Sequence, residues 1–100
     1  MNLRKAARGR ACQVRLPGCD GGGETTVLCH YRLPGLCGVG MKPPDLACGA
    51  WACATCHDKI DGRRKALDYT GDQFSRSELR LAHAEGVMRT ISELSKEGVI

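Results

Sequence analysis

Thiol, imidazole and carboxylate groups crowd into Ala52-Cys53-Ala54-Thr55-Cys56-His57-Asp58-Lys59-Ile60-Asp61 more densely than anywhere else in the chain. Cys53 and Cys56 have the two-residue gap of a thiolate metal clip. A helix turns about 100° per residue, which puts both sulfurs on one side. The same turn brings His57 and Asp61 together about a quarter turn away. Thiolates favour zinc and softer ions, whereas imidazole beside carboxylate suits others, so the two faces need not hold the same ion. One short helix can carry a structural metal on its cysteines and a working metal on His57 and Asp61.

Each face needs partners from elsewhere. A tetrahedral zinc site needs two further soft ligands. Cys12 and Cys19 bracket the Pro17-Gly18 turn and are the best candidates, although their spacing exceeds the usual two to four residues. Cys29 and Cys37 offer the same chemistry and stay open as substitutes; Cys48 is left over. The second face looks to His30 and to Lys42 and Asp45. A histidine opposite a bound cation is what phosphodiester hydrolysis requires: one group deprotonates water, while the cation offsets charge on phosphorus and on the departing oxygen. Arg32, Lys42, Arg63 and Arg64 are the expected phosphate contacts.

These groups must be positioned by local structure. Residues 1–11 form a basic arm with one helical turn over Leu3–Ala7. Thr25–Arg32 is rich in β-formers and predicts a strand with His30 near its end. Leu33–Leu46, with three glycines and three prolines, predicts an irregular loop of the length usually reserved for function. The central helix is expected from Asp45, or a few residues later because of Gly49, to about Gly62. Residues 66–74 are a connector. Ser75-Arg76-Ser77-Glu78 is a capping box, opening a helix over 75–97 that Gly98 ends. His83 falls in that helix and is assigned no role.

The bulk numbers agree with a small stapled domain. One hundred residues with four aromatics and thirteen glycines leave little core, and such domains rely on disulfides or metal. The basic N-terminus is not followed by a secretory apolar run, and no stretch is long enough to span a membrane. A reducing cytoplasmic setting is expected, where cysteine clusters bind metal more often than they pair; seven cysteines cannot all pair in any case. Fifteen Lys and Arg against eleven Asp and Glu permit a polyanionic partner.

A strand ending in histidine, a glycine-rich loop and a Cys-x-x-Cys-His helix resemble the HNH nucleases, also called ββα-metal or His-Me finger nucleases. The chain is more closely similar to a small family carried by lambdoid prophages and named as nucleases. The likeness rests on Arg4-Lys5-Ala6-Ala7-Arg8-Gly9-Arg10 before Cys12, the His30 strand and Gly35-Leu36-Cys37-Gly38 through Lys42-Pro43-Pro44-Asp45-Leu46. It continues through the Cys53–Asp61 helix and the closing Lys96-Glu97-Gly98-Val99-Ile100. It implies an α+β fold with a ββα-metal core, an added zinc and an extra C-terminal helix, with His30 as general base and His57 as ligand of the catalytic metal. Two positions depart from the HNH pattern: Cys29 stands where an acidic residue or histidine often precedes the base, and Asp45 is the nearest match to the asparagine of the name.

The expectation is therefore one zinc-stabilised HNH-type endonuclease domain over residues 1–100: the arm (1–11), a zinc knuckle, hairpin and central helix (12–62), and the C-terminal helix (75–97). Cys12, Cys19, Cys53 and Cys56 would hold structural Zn2+. His57, with Asp61 or Asp45, would hold Mg2+ or Mn2+ opposite His30. DNA is the expected substrate, and the exposed side of the 75–97 helix is the candidate face for a second copy. The main rival is a non-catalytic zinc module that binds DNA or protein. Cys53-Ala54-Thr55-Cys56-His57 also spells a c-type haem attachment motif, but that chemistry needs export and leaves five cysteines unused. A redox role for the Cys-x-x-Cys pair lacks the βαβ setting it usually needs.

Overall fold

The computed structural model describes residues 2–100. Its elements in chain order are α1 (Leu3–Ala6), β1 (Val27–His30), α2 (Asp45–Cys48), β2 (Gly49–Ala52), α3 (Ala54–Ile60) and α4 (Arg76–Lys96). It is a small α+β arrangement in which one two-stranded sheet is covered by a long helix. None of its helices is long and apolar enough to cross a membrane.

The sheet corrects the expected central helix. Residues 45–62 do not form one helix: α2 is a single turn, Gly49–Ala52 is extended, and helix resumes only at Ala54. β2 pairs antiparallel with β1, placing Cys29 opposite Ala50 and His30 opposite Gly49. Alanine favours helix in isolation, but tertiary burial overrides that weak preference. Ala50 and Ala52 are fully buried and Trp51 is nearly so. Glycine is required at position 49, where an added Cβ would lie 2.4 Å from the Asp45 carbonyl oxygen and 2.6 Å from Leu28 Cδ1.

An unpaired strand edge leaves backbone groups to be satisfied, and the outer edge of β2 is closed by side chain and loop. The Trp51 amide donates to Thr90 Oγ1 (2.9 Å), which in turn donates to the Gly86 carbonyl (2.8 Å). The Gln13 amide donates to the Trp51 carbonyl (2.7 Å). Val14 and Leu16 are buried on either side of Arg15, and Cys12–Leu16 is not a strand, because Arg15 adopts a left-handed φ of 59°. The main core gathers Val14, Leu16, Cys29, Ala50, Ala52 and Val87 around Cys12, Cys53 and Cys56. A smaller cluster packs Ala7, Trp51 and Leu94 together.

The expected capping box opens α4: Ser75 Oγ accepts from the Glu78 amide and Glu78 Oε1 accepts from the Ser75 amide. The outer face of this helix, where a second copy was expected, exposes Leu81 and Met88.

His83 has a structural place that its spacing did not suggest. It is buried on α4, its Nε2 lies 3.0 Å from the Cys29 carbonyl oxygen, and its ring packs 5.2 Å from that of Tyr31. Because a carbonyl only accepts, Nε2 carries the proton. Burial pushes the His83 pKa below its ordinary 6.5, helped by the nearby Arg80 and His57 charges and opposed by the Cys29 hydrogen bond and Asp61. The unfolded chain therefore binds a proton more readily than the folded one. Stability should be full above the unfolded value and decline as pH falls below it. Thermal melts from pH 7 to pH 5 should show this decline, and His83→Gln, which keeps a donor but does not titrate, should make it shallower. Equal slopes in the two proteins would exclude His83 as a source.

Candidate metal centre and active site

The turn at Pro17-Gly18 folds Cys12 and Cys19 toward the start of α3. It is closed by a hydrogen bond from the Cys19 amide to the Leu16 carbonyl (2.9 Å). Gly18 has φ of 84°, which glycine adopts without strain. Cys53 is the N-cap of α3, with its sulfur 3.4 Å from the Cys56 amide. Both cysteines of the clip thus sit at the start of α3, Cys53 as its cap and Cys56 in its first turn.

The sulfurs of Cys12, Cys19, Cys53 and Cys56 all lie within 4.8 Å of one another, and Cys19 and Cys53 are 3.7 Å apart. Zinc–sulfur bonds of about 2.3 Å in a tetrahedron place sulfurs roughly 3.8 Å apart. The donor set therefore fits, and the four cysteines can hold a metal such as zinc. All four are free thiols, three of them buried. Without a cation their charges conflict. A hydrogen bond from Cys56 draws Cys12 down to about 4. Cys19 is pushed up to about 11, chiefly by burial, and Cys56 is pushed up chiefly by the Cys12 thiolate. A dication among them removes that conflict.

Cys29 and Cys37 do not join this group. Burial, and then the charge of Asp61, push Cys29 up to about 12.

His30, Asp45, His57 and Asp61 gather in a second region, with Arg32 and Lys42 beside them. His30, at the end of β1, has Nε2 2.6 Å from Asp45 Oδ1 at the start of α2. That bond and, next in strength, the Arg4 guanidinium 3.3 Å away hold Asp45 below the ordinary carboxylate range. An ionised carboxylate only accepts, so His30 donates from Nε2 and its Nδ1 is left as the basic ring nitrogen. On α3, His57 Nε2 and Asp61 Oδ2 are 3.5 Å apart. His30, His57 and Asp61 line one cleft of about 480 Å³ with Arg4, Arg32 and Lys42. No second group of three metal-ligating side chains converges among the described residues, so His57 and Asp61 stand as a pair.

Arg32 and Lys42 thus lie where phosphate contacts were expected. Arg63 and Arg64 do not line this cleft: they flank a separate depression with Lys59, Lys65 and Phe74, and both reach Asp58. Sequence reasoning passed over Arg4, which braces Asp45, and Arg76 and Arg80, which line a second cleft bordering His30 and Asp61. The signal for the last two was available. They are cations four residues apart in the first turns of a helix, where the helix dipole disfavours positive charge.

A family model described as "Putative nuclease YbcO" matches residues 1–99. The chain is 51% identical over 100 residues to the "Putative nuclease YbcO" of Escherichia coli strain K12, with 99% of this chain and 96% of that protein covered. It has the same identity and coverage with the "Putative nuclease ybcO" of Enterobacteria phage 82. Among solved structures it is similar to a "putative bacteriophage protein" from Escherichia coli K-12 MG1655. That similarity has a TM-score of 0.73 and 45% identity, over 97% of this chain and 100% of the other.

Proposed function

The chain belongs to the family of the putative nuclease YbcO, and from that premise we propose that it is a metal-dependent DNA endonuclease of the HNH type. The observation that carries this reading is the 2.6 Å His30–Asp45 hydrogen bond, which holds His30 in the cleft it lines with His57 and Asp61. Asp45 holds the His30 ring so that Nδ1 takes a proton from water. Arg32 and Lys42 hold the phosphodiester in that cleft. His57 and Asp61 are the ligands of a Mg2+ or Mn2+ ion. Hard divalent cations are commonly bound by one or two protein groups and substrate oxygens rather than by a complete protein cage. When bound, the ion supplies polarisation of the phosphate and neutralises charge on the departing oxygen. The zinc centre lies on the other face of α3 and fixes that helix against the sheet.

Supercoiled plasmid and branched DNA should be nicked by the purified protein in magnesium or manganese and left intact in EDTA. About one tightly held zinc per chain, by elemental analysis, should persist in both conditions. If no condition yields nicking while zinc and DNA are both bound, the non-catalytic zinc module replaces this reading.

A further inference from the structure

The cleft beyond His30 is bounded by Tyr31, Arg32 and Asp61 and by the first turns of α4, which contribute Arg76 and Arg80. Arg32, Arg76 and Arg80 form no ion pair with any described carboxylate. The other arginines near the active side, Arg4, Arg63 and Arg64, all do. Asp61 is the one carboxylate lining this cleft, so its wall is strongly cationic.

Two of these charges work against the fold. Arg76 and Arg80 are four residues apart, and like charges at that spacing repel. They also sit at the positive end of a 21-residue helix, which disfavours cations. Yet Arg80 is held in place: its guanidinium lies 4.6 Å over the Tyr31 ring, and that ring packs on His83, which is anchored to the strand carrying His30. A fixed guanidinium lining one cleft with His30 and a second arginine, neither with an internal counterion, is arranged for an external anion.

Resting on the nuclease reading, we propose that α4 is the substrate-positioning arm of the site. Arg76 and Arg80, with Arg32, hold DNA backbone phosphates on one side of the scissile bond, while Lys42 faces those on the other. The C-terminal helix is then part of the DNA path and not only a cover for the sheet. Arg63 and Arg64, occupied by Asp58, contribute less.

The test compares Arg76→Gln/Arg80→Gln with Arg63→Gln/Arg64→Gln, which removes the same charge elsewhere. Each pair is placed in a His30→Ala background so that binding is read without cleavage. Fluorescence anisotropy with a labelled duplex and a labelled single strand, across a salt series, gives affinity and slope. Losing two phosphate contacts should flatten the slope by about 1.4 to 1.8 and weaken binding on the order of tenfold at moderate salt. The charge-matched variant should change less on both counts. The melting temperature of the Arg76/Arg80 variant should be unchanged or higher, since repulsion is relieved. Equal losses in the two doubles, or no loss in either while the parent binds DNA, would overturn the assignment to α4 and leave the nuclease reading standing. If the parent binds no DNA and the wild type does not nick plasmid, both fall.

Discussion

Cys53→Ser is expected to unfold the protein outright. Domains of this size are stable by about 5–15 kcal/mol, and the apparent binding energy of a structural four-ligand zinc is about 10–16 kcal/mol. The two quantities are comparable, so loss of the centre removes stability of the same order as the whole. Little else can compensate. The main core is built largely from alanine, valine and the cysteines themselves, and its two strands span four residues each. Cys53 also caps α3, and serine is a good N-cap, so the substitution removes a metal ligand while keeping the cap of the helix that carries His57 and Asp61. Circular dichroism should show loss of a cooperative melt in Cys53→Ser, and dialysis of the wild type against a strong zinc chelator should do the same. Cys37→Ser removes a half-buried thiol outside the cluster and should keep both its zinc and a melting temperature within a few degrees of wild type. A Cys53→Ser protein that melts like wild type and retains zinc would remove the centre from its structural role.

The four-cysteine cluster was legible in the chain because ligand chemistry is local. A Cys-x-x-Cys pair at a helix start and two cysteines around a Pro-Gly turn declare themselves by type and spacing. The α4 boundaries were legible for a similar reason, since Ser75 and Glu78 satisfy backbone groups within four residues of each other. β2 was not. Gly49-Ala50-Trp51-Ala52 has no strand signature of its own, and it is extended because β1 and Thr90 supply its hydrogen bonds and the core removes its side chains from water. That outcome depends on residues distant in the chain, on β1 and at Thr90. The His30–Asp45 bond was within reach as a pairing of types, but its geometry depends on α2 being a single turn that stops at Gly49. His83, Arg76 and Arg80 acquire their places only when α4 folds back over the sheet.

His30→Ala should lower the rate of DNA nicking by about 10²–10⁴, the range expected for loss of a general base; each tenfold corresponds to about 1.4 kcal/mol of barrier. The substitution should leave the fold intact. His30 is partly exposed at the end of β1, contributes nothing to the four-sulfur cluster, and its backbone pairing with β2 does not depend on the side chain. Zinc content and melting temperature are therefore the controls, and both should match wild type. Asp45→Asn offers a graded comparison. The amide oxygen can still accept from Nε2, so the ring stays oriented, but the charge that stabilises a protonated imidazole is gone. A smaller loss, about ten- to a hundredfold, is expected. The order of effects matters more than either value. A base held by a carboxylate requires the histidine variant to lose more than the asparagine variant, with zinc retained in both. If the Asp45 variant is inactive while His30→Ala still nicks DNA, then Asp45 acts directly, on metal or on water, and His30 is only its neighbour.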